Sequence, residues 1–231
     1  MKFIINIKRI NIWFYNLYLV ETSFPLNITQ TVSFIFKFDV LPLQKKIIAV
    51  KMEKKLDLVK KAIKEYPDFP KKGIMFQDIF GVLLDPLANE ALNDLALDHV
   101  IKNSNNFDKI VALDSRGFLF GNSMALAVKK PFVPVRKKGK LPGKCTSVCY
   151  TLEYGQDTLE IQEGSLQPGD RVLIVDDLLA TGGTLSAASQ LVKAAGAVVD
   201  HCWVVIELSV LGGRAKAGEK VEALIKLDDV E

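Results

Sequence analysis

The stretch VLIVDDLLATGGT (Val172–Thr184) ends a short apolar run on two adjacent aspartates and then reaches two glycines flanked by threonines. Neighbouring carboxylates repel each other, so the pair calls for a partner. Ionised carboxylates accept strong hydrogen bonds from hydroxyl groups. Glycines let a turn close with its N–H groups facing inward, and a helix N-terminus behind such a turn favours an anion. Asp176 and Asp177 are therefore placed to hold a ribose diol, while the sugar's phosphate rests on Ala180, Thr181, Gly182, Gly183 and Thr184. The turn alone would read as an ordinary glycine turn with a threonine N-cap. An acidic pair at a strand end also binds metal in nucleotide hydrolases, but these need a P-loop. The nearest candidate here, Gly213 to Gly218, continues with Glu219-Lys220 instead of Lys-Ser/Thr.

Two further clusters suit a polyanion. Ser115-Arg116 follows the apolar run KIVAL (Lys109–Leu113), and Arg136, Lys137 and Lys140 follow the run FVPV (Phe132–Val135). Alone, each would be a surface ion pair or a solvated basic face; beside phosphates they read as clamps. Gly121-x-Ser123-x-Ala125 nearly matches a nucleophile elbow, but the last glycine is missing and the stretch lies in an apolar helix, where Ser123 reads as buried packing.

The elements that must carry these residues alternate. A helical stripe of Leu56, Val59 and Ile63 is followed by a turn-rich loop, Tyr66–Ile79, and a helix over Leu87–Val100. Strands over 109–113, 132–135, 171–175, 198–206 and 221–227 alternate with helices over 117–128, 184–195 and 210–217. Residues 146–162 read as a hairpin bearing Glu153-Tyr154-Gly155. This pattern predicts an α/β domain with a mostly parallel twisted sheet flanked by helices, whose ligand sits at the carboxyl ends of the strands.

Composition sets the outer bounds. The chain has 231 residues, 49% hydrophobic and 25% charged, which suits one well-buried domain with a small appendage. A net charge of +3 is too small to argue for nucleic acid. Residues 1–51 carry +5 and residues 52–231 carry −2. The first segment contains no glycine, and Lys8-Arg9 precede a short apolar stretch, Ile10–Val20. No small-x-small cleavage pattern follows, and the stretch is shorter than the ~20 residues that span a bilayer. It reads as an extension outside the fold, disordered or removed, with organelle or secretory targeting left open; residues 52–231 read as the functional domain. Three cysteines without C-x-x-C spacing argue against a disulfide framework and a zinc site.

VLIVDDLLATGGT resembles the phosphoribosyl pyrophosphate motif of the type I phosphoribosyltransferases. Three further stretches narrow the likeness to the adenine-specific members of that family: YPDFPKKGIMFQDI (Tyr66–Ile79), LDSRGFLFG (Leu113–Gly121), and RKKGKLPG (Arg136–Gly143) with LEYG (Leu152–Gly155). The resemblance covers about Leu56 to the C-terminus and leaves residues 1–51 out. It implies the type I phosphoribosyltransferase fold with a small N-terminal hood and a mobile hairpin loop. It implies purine salvage: adenine and phosphoribosyl pyrophosphate give AMP and pyrophosphate, with Mg²⁺ held mainly through the substrate and no protein metal ligand assigned. It also implies a cytoplasmic homodimer with no nucleic-acid or membrane partner.

By the same resemblance, Ser115, Arg116, Arg136, Lys137, Lys140 and Tyr154 bind pyrophosphate. Glu153 is the acid–base group at the purine N7 proton. The base pocket comes from Met75, Phe76 and Gln77, with Leu178 as an apolar wall. Gln77 departs from the family pattern, which often has arginine there; main-chain recognition would lose little by the change. Two alternatives stay open: a transferase for another purine base, and a non-catalytic regulatory protein that binds phosphoribosyl pyrophosphate.

Overall fold

The computed structural model describes residues 26–152 and 155–228, with side chains described at 44–150 and 156–228. The chain divides into two compact units, Met1–Lys51 and Met52–Glu231. In the first unit, the described residues belong to helix α1 (Leu26–Ala62), and those from 44 to 51 are exposed. No helix among the described residues is long and apolar enough to cross a membrane.

The second unit begins on the last turns of α1. Val59 is fully buried there, and Leu56, Ala62 and Ile63 pack partly into the core, whereas Leu58 is exposed. The stretch read as a single turn-rich loop forms a small ribbon, β1 (Lys64–Pro67) and β2 (Met75–Asp78), followed by α2 (Phe80–Leu84). The ribbon is antiparallel, with Tyr66 opposite Phe76 and Glu65 opposite Gln77. Its bend is local chemistry: Asp68 and Gly73 both take positive φ, and the Gly73 amide donates to the Asp68 carboxylate at 2.6 Å.

Helix α3 (Pro86–Lys102) starts where Asp85 accepts from the amides of Leu87 and Ala88, with Pro86 in the first turn. The remaining elements are β3 (Lys109–Leu113), α4 (Gly117–Val128), β4 (Phe132–Lys137), β5 (Cys145–Leu152), β6 (Gly155–Gln162), β7 (Arg171–Leu179), α5 (Gly183–Ala194), β8 (Val198–Leu208), a 3₁₀ turn (Ser209–Leu211), α6 (Gly213–Ala217) and β9 (Val221–Leu227). They form a seven-stranded sheet in the order β5-β6-β4-β3-β7-β8-β9. The five strands from β4 to β9 in that order run parallel, and the β5–β6 hairpin adds to the β4 edge antiparallel.

Strand alternation splits the core into two layers. Ile110, Ala112, Leu173, Val175, Trp203 and Val205 face one side, with Leu92 of α3 and Met124 of α4. Val111, Leu113, Ile174 and Cys202 face the other, with Leu185, Ala188 and Leu191 of α5. Burial on both faces is why the central strands read as unbroken apolar runs.

Three further details differ from the sequence reading. Strand β7 continues through Leu179, because Asp176, Leu178 and Leu179 still pair with β8. The helix expected over 210–217 is a 3₁₀ turn and then α6, broken where Gly212 takes φ of 61°. Ser123 is only half-buried; its hydroxyl donates to the Leu119 carbonyl at 3.4 Å, while Phe120 and Met124 fill the inward face of α4.

The two histidines, distant in sequence, meet between α3 and β8. Their Nε2 atoms lie 2.9 Å apart. His201 Nδ1 is 2.6 Å from Asp200, and His99 Nδ1 is 3.4 Å from Glu222. Burial, and then the neighbouring His201, pushes His99 down to about 4; Lys220 acts in the same direction, and Glu222 and Asp98 oppose it. The folded state therefore favours neutral His99. Its contribution is present above the unfolded value near 6.5 and is lost as pH falls from there toward 4. The wild-type chain should lose about 2 kcal/mol through this group between pH 7 and pH 5. His99→Gln, which keeps a polar group toward His201 but does not titrate, should flatten that part of the stability curve in urea unfolding at the two pH values.

Candidate active site

The carboxyl ends of β3 and β7 lie side by side because these strands are hydrogen-bonded neighbours, with Ala112 opposite Val175. The Asp114–Arg116 turn that leaves β3 thus meets the aspartates of β7. The Asp114–Ser115 peptide is cis. Gly117 opens α4 so close to β7 that a Cβ on it would lie 2.7 Å from the Val175 carbonyl oxygen and 3.2 Å from an Asp176 carboxylate oxygen. Any side chain at 117 would push into the carboxylate pair.

Asp177 is 6% exposed and Asp176 half-buried. Asp176 accepts a hydrogen bond from the Asp177 amide at 2.9 Å. Burial, followed by the negative charge of Asp177, holds the Asp176 carboxyl well above the ordinary aspartate range. Burial also raises Asp177, against the opposing pull of Arg116. The Arg116 Nε donates to Asp177 at 2.8 Å, and its guanidinium carbon lies 5.7 Å from the centre of the Phe76 ring. One arginine therefore links the ribbon to the acidic pair.

Beyond β7 the chain turns at Ala180–Gly182. Gly182 has φ of 82° and precedes α5, which no side chain caps, so Thr184 lies inside the helix and not at its N-cap. The first amides of α5 lack intrahelical partners, as at any helix N-terminus, and no side chain caps them. The Thr184 hydroxyl is hydrogen-bonded to the phenol of Tyr150 on β5, and burial, then Asp157, pushes that phenol upward. The hairpin is thus tied to the turn.

The other predicted residues fall as follows. Ser115 is exposed at the start of the β3–α4 turn. Arg136, at the end of β4, donates through Nε to Asp114 at 2.7 Å and through a terminal nitrogen to the Lys140 carbonyl at 3.0 Å. Lys137 pairs with Asp157 of β6 at 2.9 Å. Arg116, Arg136 and Lys137 thus each already hold a carboxylate. Met75 and Phe76 lie half-buried on β2, and Phe69 meets Phe76 edge-on at 5.0 Å. Gln77 is buried, and its amide donates to Glu65 across the ribbon at 3.1 Å. Leu178 is half-buried at the end of β7. Glu153 and Tyr154 lie outside the described residues.

The sequence reading missed four contributors. Asp114 orients Arg136, Asp157 orients Lys137, Tyr150 meets Thr184, and Gly213 stands behind the glycine turn. Only Gly213 had a visible signal, a Gly-Gly pair after an apolar strand, echoing the pair at 182–183. Among the described residues, no group of three or more His, Cys, Asp or Glu side chains could hold a metal ion.

Comparison with known proteins gives the family of the chain. The family model for the phosphoribosyl transferase domain matches residues 83–228. The adenine phosphoribosyltransferase of Drosophila pseudoobscura pseudoobscura is 53% identical over 177 residues, covering 77% of this chain and 98% of that protein. The crystal structure of adenine phosphoribosyltransferase from Saccharomyces cerevisiae, complexed with an imino-altritol bisphosphate and adenine, is 41% identical with a TM-score of 0.70; 75% of this chain and 99% of that one are covered. The Trypanosoma brucei enzyme, in complex with AMP, pyrophosphate and ribose-5-phosphate, is 28% identical with a TM-score of 0.68, covering 76% and 79%.

The raised carboxyls carry a stability cost. A carboxyl whose folded value lies above its unfolded one destabilises the fold as pH rises from about 4 through the raised value. Asp176→Asn should therefore raise the melting temperature at pH 7, by about 2–4 °C per kcal/mol released. The gain should shrink toward pH 4, as thermal melts across that range will read.

Proposed function

The chain belongs to the adenine phosphoribosyltransferases of the phosphoribosyl transferase family, and from that premise we propose how its site works. The activity is purine salvage: the 5-phosphoribosyl group passes from phosphoribosyl pyrophosphate to adenine, giving AMP and pyrophosphate. The observation that carries the assignment of parts is the continuity of β7 with the glycine turn. Two carboxylates near the end of one strand stand just before a glycine turn that opens a helix, the order of parts a ribose 5-phosphate needs.

In this reading, Asp176 and Asp177 accept from the ribose 2′- and 3′-hydroxyls, and Ala180–Thr184 hold the 5′-phosphate. Charge-assisted bonds from the diol return the hydrogen bonding that burial took from the carboxylates. Ser115, Arg116, Arg136, Lys137, Lys140 and Tyr154 take the pyrophosphate. The present carboxylate partners of Arg116, Arg136 and Lys137 keep these cations oriented until a phosphate competes for them. The bond between C1′ and the pyrophosphate oxygen breaks, a bond from C1′ to the base nitrogen forms, and one base proton leaves. Glu153 is assigned that proton, and the hairpin that bears it excludes water which would otherwise hydrolyse the activated sugar.

The base lies on Phe76 beside Leu178. Because the Gln77 amide is engaged with Glu65, the main chain of Met75 and Gln77 reads the Watson–Crick edge, and the change from arginine leaves the base preference intact. Mg²⁺ would be held mainly through the hard oxygens of the pyrophosphate, with Asp176 and Asp177 left to the ribose and no protein ligand assigned. When bound, it would neutralise the leaving group. The proposal extends to a cytoplasmic homodimer, with residues 52–231 as the catalytic domain and residues 1–51 outside it.

An incorporation assay with labelled adenine, hypoxanthine, guanine and xanthine tests the reading; AMP from adenine alone is expected, and no nucleotide from any base would refute it. Glu153→Gln should lower kcat by about a hundredfold or more while leaving the KM values nearly unchanged. Asp177→Asn should weaken phosphoribosyl pyrophosphate by roughly tenfold to a hundredfold and adenine much less; equal losses would remove the ribose assignment.

A further inference from the structure

The glycine turn is walled by a second turn that no residue of the proposed chemistry occupies. A Cβ on Gly182 would lie 2.1 Å from the Gly213 carbonyl oxygen, and a Cβ on Gly213 would lie 2.1 Å from the Ala180 carbonyl oxygen. Both distances are far inside van der Waals contact, so backbone meets backbone with no side chain between. The amides that would hold the 5′-phosphate therefore have their position set from behind by the first residue of α6.

A five-residue helix such as α6 has little stability of its own, so something else must fix it. The next residue does. Arg214 donates through Nε and one terminal nitrogen to both oxygens of Glu207, at 2.5 and 2.6 Å, and through the other terminal nitrogen to the Val221 carbonyl at 2.5 Å. Glu207 is 5% exposed at the end of β8, and Val221 begins β9. This planar fork on a buried carboxylate is geometrically specific in a way that a lysine contact is not. It pins α6 to two strands of the sheet.

We infer that Arg214 and Glu207 are positioning residues for phosphoribosyl pyrophosphate: by locking α6 they hold Gly213 against the 180–182 turn and so keep the 5′-phosphate amides aligned. The inference rests on the reading of 180–184 as the 5′-phosphate site. Neither side chain touches substrate. Their effect passes through the backbone, and a small misplacement of binding groups is enough to cost much of the affinity. The adenine pocket, on the ribbon and at Leu178, is assigned no residue of α6.

Steady-state kinetics on the full chain tests this, with each substrate varied at saturating levels of the other. Arg214→Ala should raise KM for phosphoribosyl pyrophosphate by roughly tenfold to a hundredfold, with KM for adenine and kcat within about twofold. Arg214→Lys, which keeps the charge but loses the fork, should fall between it and wild type. If Arg214→Ala does not fold, the lysine variant and Glu207→Gln carry the same comparison. Unchanged KM for phosphoribosyl pyrophosphate, or equal rises in both KM values, would overturn the positioning role. A wild-type chain that makes no AMP would overturn it together with the functional reading beneath it.

Discussion

Two carboxylates held side by side where water is scarce set the terms for the rest of this molecule. Asp176 and Asp177 sit on the central β7 strand, and Gly117 brings the start of α4 against Val175 and Asp176 so closely that no side chain could intervene. Their ionised forms are disfavoured by burial, and one also by its neighbour's charge. A fold does not keep such a pair for stability. We propose that a ligand's hydroxyls restore the lost hydrogen bonding; Arg116 serves as the local counter-charge.

In the proposed reading, the surrounding structure presents that pair beside an anion site. Parallel strands bring the turns after β3 and β7 to the same edge, and an antiparallel hairpin pairs with β4. The glycine turn after β7 is rigid because another turn stands behind it. We attribute that rigidity to backbone contact and to the ion pair of Arg214 with the buried Glu207, while half-buried Arg136 and exposed Lys137 pair with Asp114 and Asp157.

Much of this is legible in the sequence. The alternation of apolar runs with helical stripes marks five parallel strands, since strands buried on both faces have nothing polar to interrupt them. The acidic pair and the glycines stand out because their residue types have few other uses at that spacing. What is not legible depends on residues far apart in the chain. Asp114 with Arg136, Tyr150 with Thr184, and His99 with His201 are pairs that only the sheet order brings together. The end of β7 is hidden because charged residues normally close a strand, whereas pairing with β8 carries this one through Leu179. The apolar character of its helix makes Ser123 look buried, but the inward face of α4 belongs to Phe120 and Met124. Glycine at 213 looks like a fragment of an unrelated phosphate motif; its value lies in the absence of a side chain against Ala180, a property of the contact and not of the motif.

A crystal structure with AMP soaked or grown into the protein tests the central claim most directly. The ribose hydroxyls should lie within hydrogen-bond distance of the Asp176 and Asp177 carboxylates, with the phosphate on the amides of residues 181–184. AMP bound with its phosphate on Arg136 and Lys137, or with its sugar away from the β7 end, would contradict it.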